Sequence, residues 1–157
     1  MERLGKETAR DKITYYCKYQ ERSHKEVKEK LYSMGLYKSD VEELMSWLIE
    51  NDFLNEERFA EALVRGKFRM KHWGKVKIRQ ALQQRDVSNY NIKKSLSTIN
   101  NDDYLQTLHK IAKTKWSSLK ETNVFIKRKK VTQYLLQKGY EYNAISPLLK
   151  NLEEENG

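Results

Sequence analysis

The chain has 157 residues, 34% of them charged and only 38% hydrophobic, with a formal net charge of +9. That is lean for one large core and suits thin packing with much surface. Six glycines and one proline are few for a strand-rich fold with many tight turns, and the single cysteine, Cys17, excludes an internal disulfide and a cysteine-built zinc site.

No apolar run approaches membrane length, and the opening MERLGKETARDK is charged throughout. Neither a membrane span nor a secretory signal is expected, and the protein is read as soluble and cytoplasmic. Nothing about Cys17 suggests a covalent dimer, so a monomer is the expectation.

In chain order, a first helix is expected over about residues 8–20, with Ile13, Tyr16, Cys17 and Gln20 on one side. Ser23 and Glu26 form a capping box that starts the next helix, whose stripe begins at Val27 and Leu31. Gly35 sits where that helix should end in a left-handed residue. Ser39 with Glu42 is read as a second capping box. From about Asn55 to Lys71 a longer helix carries Phe59, Leu63 and Phe68. Another begins near Asn101 with Leu105, Leu108, Ala112 and Trp116, and the Ser117–Ser118 region is read as the following loop.

The chain repeats itself. VKEKLYSMGLYKSDVEEL from Val27, IRQALQQRDVSNYNIKKS from Ile78 and VTQYLLQKGYEYNAISPL from Val131 align at offsets of 51 and 53 residues. Val27, Ile78 and Val131 correspond, as do Leu31, Leu82 and Leu135. Gly35, Asp86 and Gly139 then fall together, followed by Leu36, Val87 and Tyr140, and by Val41, Ile92 and Ile145. Each unit reads as helix, turn, helix with a further helix in front. The expected fold is all-α, a tandem array of three three-helix repeats (about nine helices), elongated and curved. The repeats span 1–52, 53–100 and 101–157. The second is the most basic, and the third has a longer internal linker and an acidic tail.

Catalytic chemistry is hard to find. His24, His72 and His109 are scattered one per repeat without metal-ligand spacing, no glycine-rich phosphate loop occurs, and Glu42–Glu43 and Glu56–Glu57 are explained by helix dipoles. No enzyme activity, metal or cofactor is expected.

Charge, by contrast, is concentrated. Residues 1–51 hold 10 Lys/Arg and 10 Asp/Glu, residues 52–100 hold 11 and 5, and residues 101–157 hold 10 and 7. Arg65, Lys67, Arg69, Lys71, Lys75, Lys77 and Arg79 follow one another without an acid, and Lys127, Arg128, Lys129 and Lys130 form a second cluster ahead of Val131. Equivalent cationic edges on neighbouring repeats would line up along one side of the array and face a polyanion. Trp73 is open to two readings: stacking on a base, or packing between the first two helices of its repeat.

The segment ENDFLNEERFAEALVRGKFRMKHWGKVKIRQALQQRDVS resembles the central part of the RecX family, bacterial modulators of the RecA recombinase. The matching features are Phe53-Leu54 with the polar cap after it, Phe59-Ala60, Val64-Arg65, Lys67, Trp73-Gly74, Ile78 and Leu82. CKYQERSHKEVKEKL and VTQYLLQKGYEYNAI resemble the family's first and last units, so the likeness runs from about Ile13 to Leu149. Asn55 stands where the family usually has an acid and Asp86 where it usually has glycine. The third unit is the loosest match. The resemblance implies docking in the groove of the RecA–DNA filament, inhibition of strand exchange and of RecA's ATP hydrolysis, and weak, non-specific affinity for single- and double-stranded DNA. The twelve residues expected to bind filament or DNA are Arg65, Lys67, Arg69, Lys71, Trp73, Lys75, Lys77, Arg79 and Lys127 to Lys130.

The main alternative is a stand-alone DNA-binding protein with helix-turn-helix-like units. Its cations should concentrate on the third helix of each repeat, whereas SDVEELMSWLIEN and YNIKKSLSTIN carry few. A nucleic-acid enzyme and an adaptor for an acidic protein are weaker rivals.

Overall fold

The structure is a computed structural model that describes residues 3–156; Met1, Glu2 and Gly157, which belong to the first and third expected repeats, lie outside the described residues. Among the described residues there are nine helices and no strand: α1 (Lys6–Tyr19), α2 (His24–Ser33), α3 (Lys38–Glu50), α4 (Glu56–Lys71), α5 (Lys75–Gln84), α6 (Asn89–Leu96), α7 (Asn101–Ser118), α8 (Val124–Gln137) and α9 (Tyr142–Asn156). The all-α, repeated three-helix reading holds.

Every apolar position of the sequence alignment is buried. Val27, Ile78 and Val131 are fully enclosed, as are Leu31, Leu82 and Leu135, and Val41, Ile92 and Ile145 follow. Gly35, Asp86 and Gly139 take positive φ of 83°, 56° and 99°, the left-handed turn that ends a helix. The Ser23–Glu26 capping box is present at α2, and the Asn55 carboxamide accepts from the Arg58 amide at 2.9 Å to cap α4.

Other expectations are corrected. Tyr37, not Ser39, is the N-cap of α3, and it makes no side-chain cap bond; Ser39 lies inside the helix. Leu105 is 44% exposed, and Tyr104 takes the core position beside it. Ser117 and Ser118 end α7 rather than forming the loop, which begins at Leu119. Gln20 is exposed.

The chain forms two compact units. Unit 1 is Met1–Leu63 with Leu82–Ser95, and unit 2 is Val64–Ala81 with Leu96–Gly157. In unit 1, α1, α2 and α3 enclose Ala9, Ile13, Cys17, Val27, Leu31, Leu44, Leu48 and Leu54. Arg58 ties its loops together, donating to Glu21 at 2.6 Å and to the Asp52 carbonyl at 2.9 Å. Glu56 has a role beyond the helix dipole: its carboxylate accepts from the Ser88 amide at 3.0 Å and from the Asn91 side chain at 2.8 Å, at the start of α6. Burial pushes the Glu56 carboxyl up, but these hydrogen bonds outweigh that and leave it below the usual range.

Burial raises the Cys17 thiol to about 11. The folded protein should therefore react with an aromatic disulfide reagent at neutral pH far more slowly than it does in denaturant. Equal rates in the two conditions would contradict the buried placement.

In unit 2, α7, α8 and α9 enclose Tyr104, Leu108, Ala112, Trp116, Val131, Leu135, Tyr140, Ile145 and Leu149.

Candidate nucleic-acid interface

All twelve cationic and aromatic site residues expected from the sequence fall in unit 2. Arg65 and Arg69 are exposed four residues apart on α4, so they share one helical face. Lys71 is exposed at the end of that helix, and Arg79 is exposed on α5 four residues after Lys75. Among the described residues, none of Arg65, Lys67, Arg69, Lys71, Lys75, Lys77 and Arg79 has a carboxylate within ion-pair distance.

Trp73 is half-buried between two lysines. The Lys67 ammonium lies 4.7 Å and the Lys77 ammonium 4.5 Å from the centre of its ring system. These contacts fix the lysine stems without neutralising their charge. The Lys75 ammonium lies 4.7 Å over the Tyr104 ring in the same manner.

The second cluster is built differently. Arg128 makes a two-pronged pair with Glu153, and Lys130 lies 3.6 Å from Glu121. Lys127 sits 4.7 Å over Trp116, and Lys129 is exposed. Two of its four cations are thus already matched by carboxylates.

What positions the first cluster is a close backbone contact that sequence spacing did not disclose. His72 ends α4 with φ of 56°. The chain then presents Gly74 to the turn between α8 and α9: the Gly74 amide donates to the Lys138 carbonyl at 2.7 Å, and the Val76 amide donates to the Gly139 carbonyl at 2.9 Å. A Cβ on Gly74 would run into the Gly139 peptide. The Tyr140 hydroxyl donates to the His72 carbonyl at 2.9 Å, and the Lys138 ammonium donates to the Lys71 carbonyl at 3.2 Å. Lys138 is therefore an extra cation at this edge that the sequence reading missed. The Trp73-Gly74 pair was legible as a motif, but its partner Gly139 lies 65 residues away.

Tyr104 closes the arrangement from below. Its hydroxyl accepts from the Lys75 amide at 2.9 Å and donates to Glu141 at 2.5 Å. Burial, then the Glu141 hydrogen bond, pushes the phenol far up, so it remains a donor across the accessible pH range. Its ring packs 5.8 Å from Phe68 and 5.1 Å from Tyr140. Tyr104→Phe keeps this packing but leaves the Lys75 amide and Glu141 without their partner. A loss of about 1–3 kcal/mol is expected, read as a lower urea midpoint with an unchanged slope. An unchanged midpoint would count against this latch.

The cations therefore stand on a hydrogen-bonded seat, four exposed and three half-buried, unmatched by carboxylates among the described residues, and the arrangement can hold a chain of phosphates. Among the described residues, no three His, Cys, Asp or Glu side chains converge to hold a metal ion, and no helix is long and apolar enough to cross a membrane.

Comparison with known proteins decides the family. The model of the second three-helix domain of RecX matches residues 55–96, and that of the third matches residues 102–149, together more than half of the chain. The chain belongs to the RecX family. The regulatory protein RecX of Clostridium acetobutylicum is 29% identical over 139 residues, 86% of this chain and 64% of its own length. That of Clostridium perfringens is 30% identical over 133 residues, 83% of this chain and 62% of its own. The chain thus spans a little under two thirds of the length of these curated relatives. The crystal structure of RecX from Lactobacillus salivarius shares the fold, with a TM-score of 0.85 at 23% identity over 94% of this chain and 96% of that one. A second RecX crystal structure gives a TM-score of 0.83 at 20% identity over 91% of this chain and 72% of that one. These curated relatives of the chain are named as regulatory proteins.

Proposed function

We propose that this chain is a non-enzymatic, cytoplasmic regulator that binds the RecA–DNA filament and inhibits RecA's recombinase, ATPase and coprotease activities, damping recombinational repair and the SOS response. Its building blocks are the repeats 1–52, 53–100 and 101–157, and it acts as a monomer. The observation that carries this reading is the run of seven cations on α4 and α5 without a matching carboxylate among the described residues, in a chain of regulatory family and net charge +9. Such a run favours a polyanion through counterion release and reads no sequence by itself. Arg65, Lys67, Arg69, Lys71, Lys75, Lys77 and Arg79 engage filament DNA or acidic RecA surface, with Trp73 giving shape and Lys127 to Lys130 a secondary contact.

A stand-alone duplex reader would place its free cations on α3 or α6. Of the two lysines on α6, Lys94 is paired with Glu57 at 2.7 Å. The test titrates RecA's single-stranded-DNA-dependent ATP hydrolysis with this protein, alongside its binding to the same DNA alone. Inhibition well below the amount that coats the DNA is expected. Inhibition only at saturation of bare DNA would replace the filament reading with simple competition for the strand.

A further inference from the structure

Unit 1 carries an open cavity of about 610 Å³ far in sequence from the basic edge, lined by Lys12, Tyr15, Tyr16, Tyr19, Arg22 and Lys30 among others. Three of these six are tyrosines and three are cations, and among the described residues no carboxylate lines it. Tyr15 and Tyr19 are 69% and 71% exposed, and their rings stand 6.4 Å apart at 37° on successive turns of α1. Rings left in water at this spacing bury nothing in the core, so the fold does not account for them. The Arg22 guanidinium is held in place, its Nε donating to the Tyr16 carbonyl at 3.0 Å while its Cζ lies 3.7 Å from the centre of the Tyr16 ring. The Lys30 ammonium lies 5.6 Å from the same ring.

We infer that this cavity is a second nucleic-acid site, which takes single-stranded nucleic acid with one or two bases stacked on Tyr15 and Tyr19 and the adjoining phosphates on Lys12, Arg22 and Lys30. Flat exposed rings interleaved with cations suit a strand whose bases are unpaired, because every base has a π-face and the phosphates follow at regular spacing. The volume lies within the range of about 300–1,000 Å³ typical of small-ligand clefts, which leaves room for a nucleotide or two. An acidic peptide would meet the cations equally well, but it offers no regular series of flat rings for two exposed tyrosines. The inference goes beyond the proposed function and does not rest on it, since it uses none of the residues of unit 2.

The test measures fluorescence anisotropy of a short labelled oligodeoxythymidine and of an abasic strand of the same length, without RecA. Wild type should prefer the strand with bases. The Tyr15→Ala/Tyr19→Ala double variant, whose fold is checked by circular dichroism, should lose about tenfold or more in affinity for that strand and lose the preference. An Arg65→Glu/Arg69→Glu/Arg79→Glu variant should weaken on both strands yet keep the preference, which separates this site from the basic edge. Photocrosslinks from 5-bromouracil should fall within residues 12–30. Equal wild-type affinity for both strands, a preference that survives the tyrosine variant, or crosslinks confined to unit 2 would each overturn the assignment. So would a tyrosine variant that binds DNA normally but no longer inhibits RecA, which would make the cavity a protein-docking site.

Discussion

Gly74→Ala should lower the stability of unit 2 by about 3–5 kcal/mol, although it adds a single methyl group. Overpacking alone costs about 1–3 kcal/mol, and each of the two backbone hydrogen bonds it would break is worth about 1 kcal/mol. The added Cβ meets the carbonyl carbon and oxygen of Gly139 and the amide of Tyr140. These are backbone atoms and cannot rotate aside as a side-chain tip would. The α4–α5 loop must back away, releasing the bonds from Gly74 to Lys138 and from Val76 to Gly139. Gly66→Ala is the matched control. It lies inside α4 with nothing within 4 Å of an added Cβ, and it should stabilise by about 0.5–1 kcal/mol because glycine is costly in a helix interior. Urea unfolding of the two variants should shift the midpoint in opposite directions. Shifts of the same sign would refute the close approach of Gly74 to Gly139.

That contact also shows where sequence reading stops. The helix ends at Gly35, Asp86 and Gly139 were legible because a left-handed residue is a local requirement with a short list of residues that meet it. The core positions were legible because three aligned copies average out the noise of one. The Ser39 box failed for a local reason: a capping pattern states a preference, and α3 starts at Lys38, with its N-cap at Tyr37, two residues before Ser39. Tyr104 and Leu105 were exchanged because both are apolar neighbours, and a rotation of about 100° per residue cannot be fixed from one helix alone. Gly74 was visible only as half of a motif, since the need for glycine comes from a segment distant in sequence.

Charge was legible as sign and sequence position, but not as availability. The sequence makes KRKK and the Arg65–Arg79 run look alike. In the folded chain Glu153 from α9 and Glu121 from the loop before α8 approach Arg128 and Lys130, whereas no acid reaches the α4–α5 run among the described residues. The repeats place the second cluster on the helix that corresponds to α5, yet the neighbouring acids differ. Exposed pairs such as these contribute little to stability, but they do lower the free positive charge that a phosphate chain would find.

This difference sets the last expectation. Arg65→Glu/Arg69→Glu/Arg79→Glu changes three exposed side chains that have no acid partner among the described residues, so the fold should be retained. If each arginine meets one phosphate of single-stranded DNA, the slope of log affinity against log salt should fall in magnitude by about 2, at roughly 0.7 per contact. Near 0.1 M salt the same coefficient makes each contact worth a factor of about 5, so affinity should drop about a hundredfold, with inhibition of RecA's ATP hydrolysis falling in parallel. Arg128→Gln/Lys130→Gln removes cations that already face carboxylates, and the drop there should be several-fold at most. Filter binding or anisotropy across a salt series measures both variants on one scale. A triple variant with unchanged slope would show that the α4–α5 run is a solvated face, and equal losses in the two variants would show that intramolecular pairing does not govern which cations the polyanion uses.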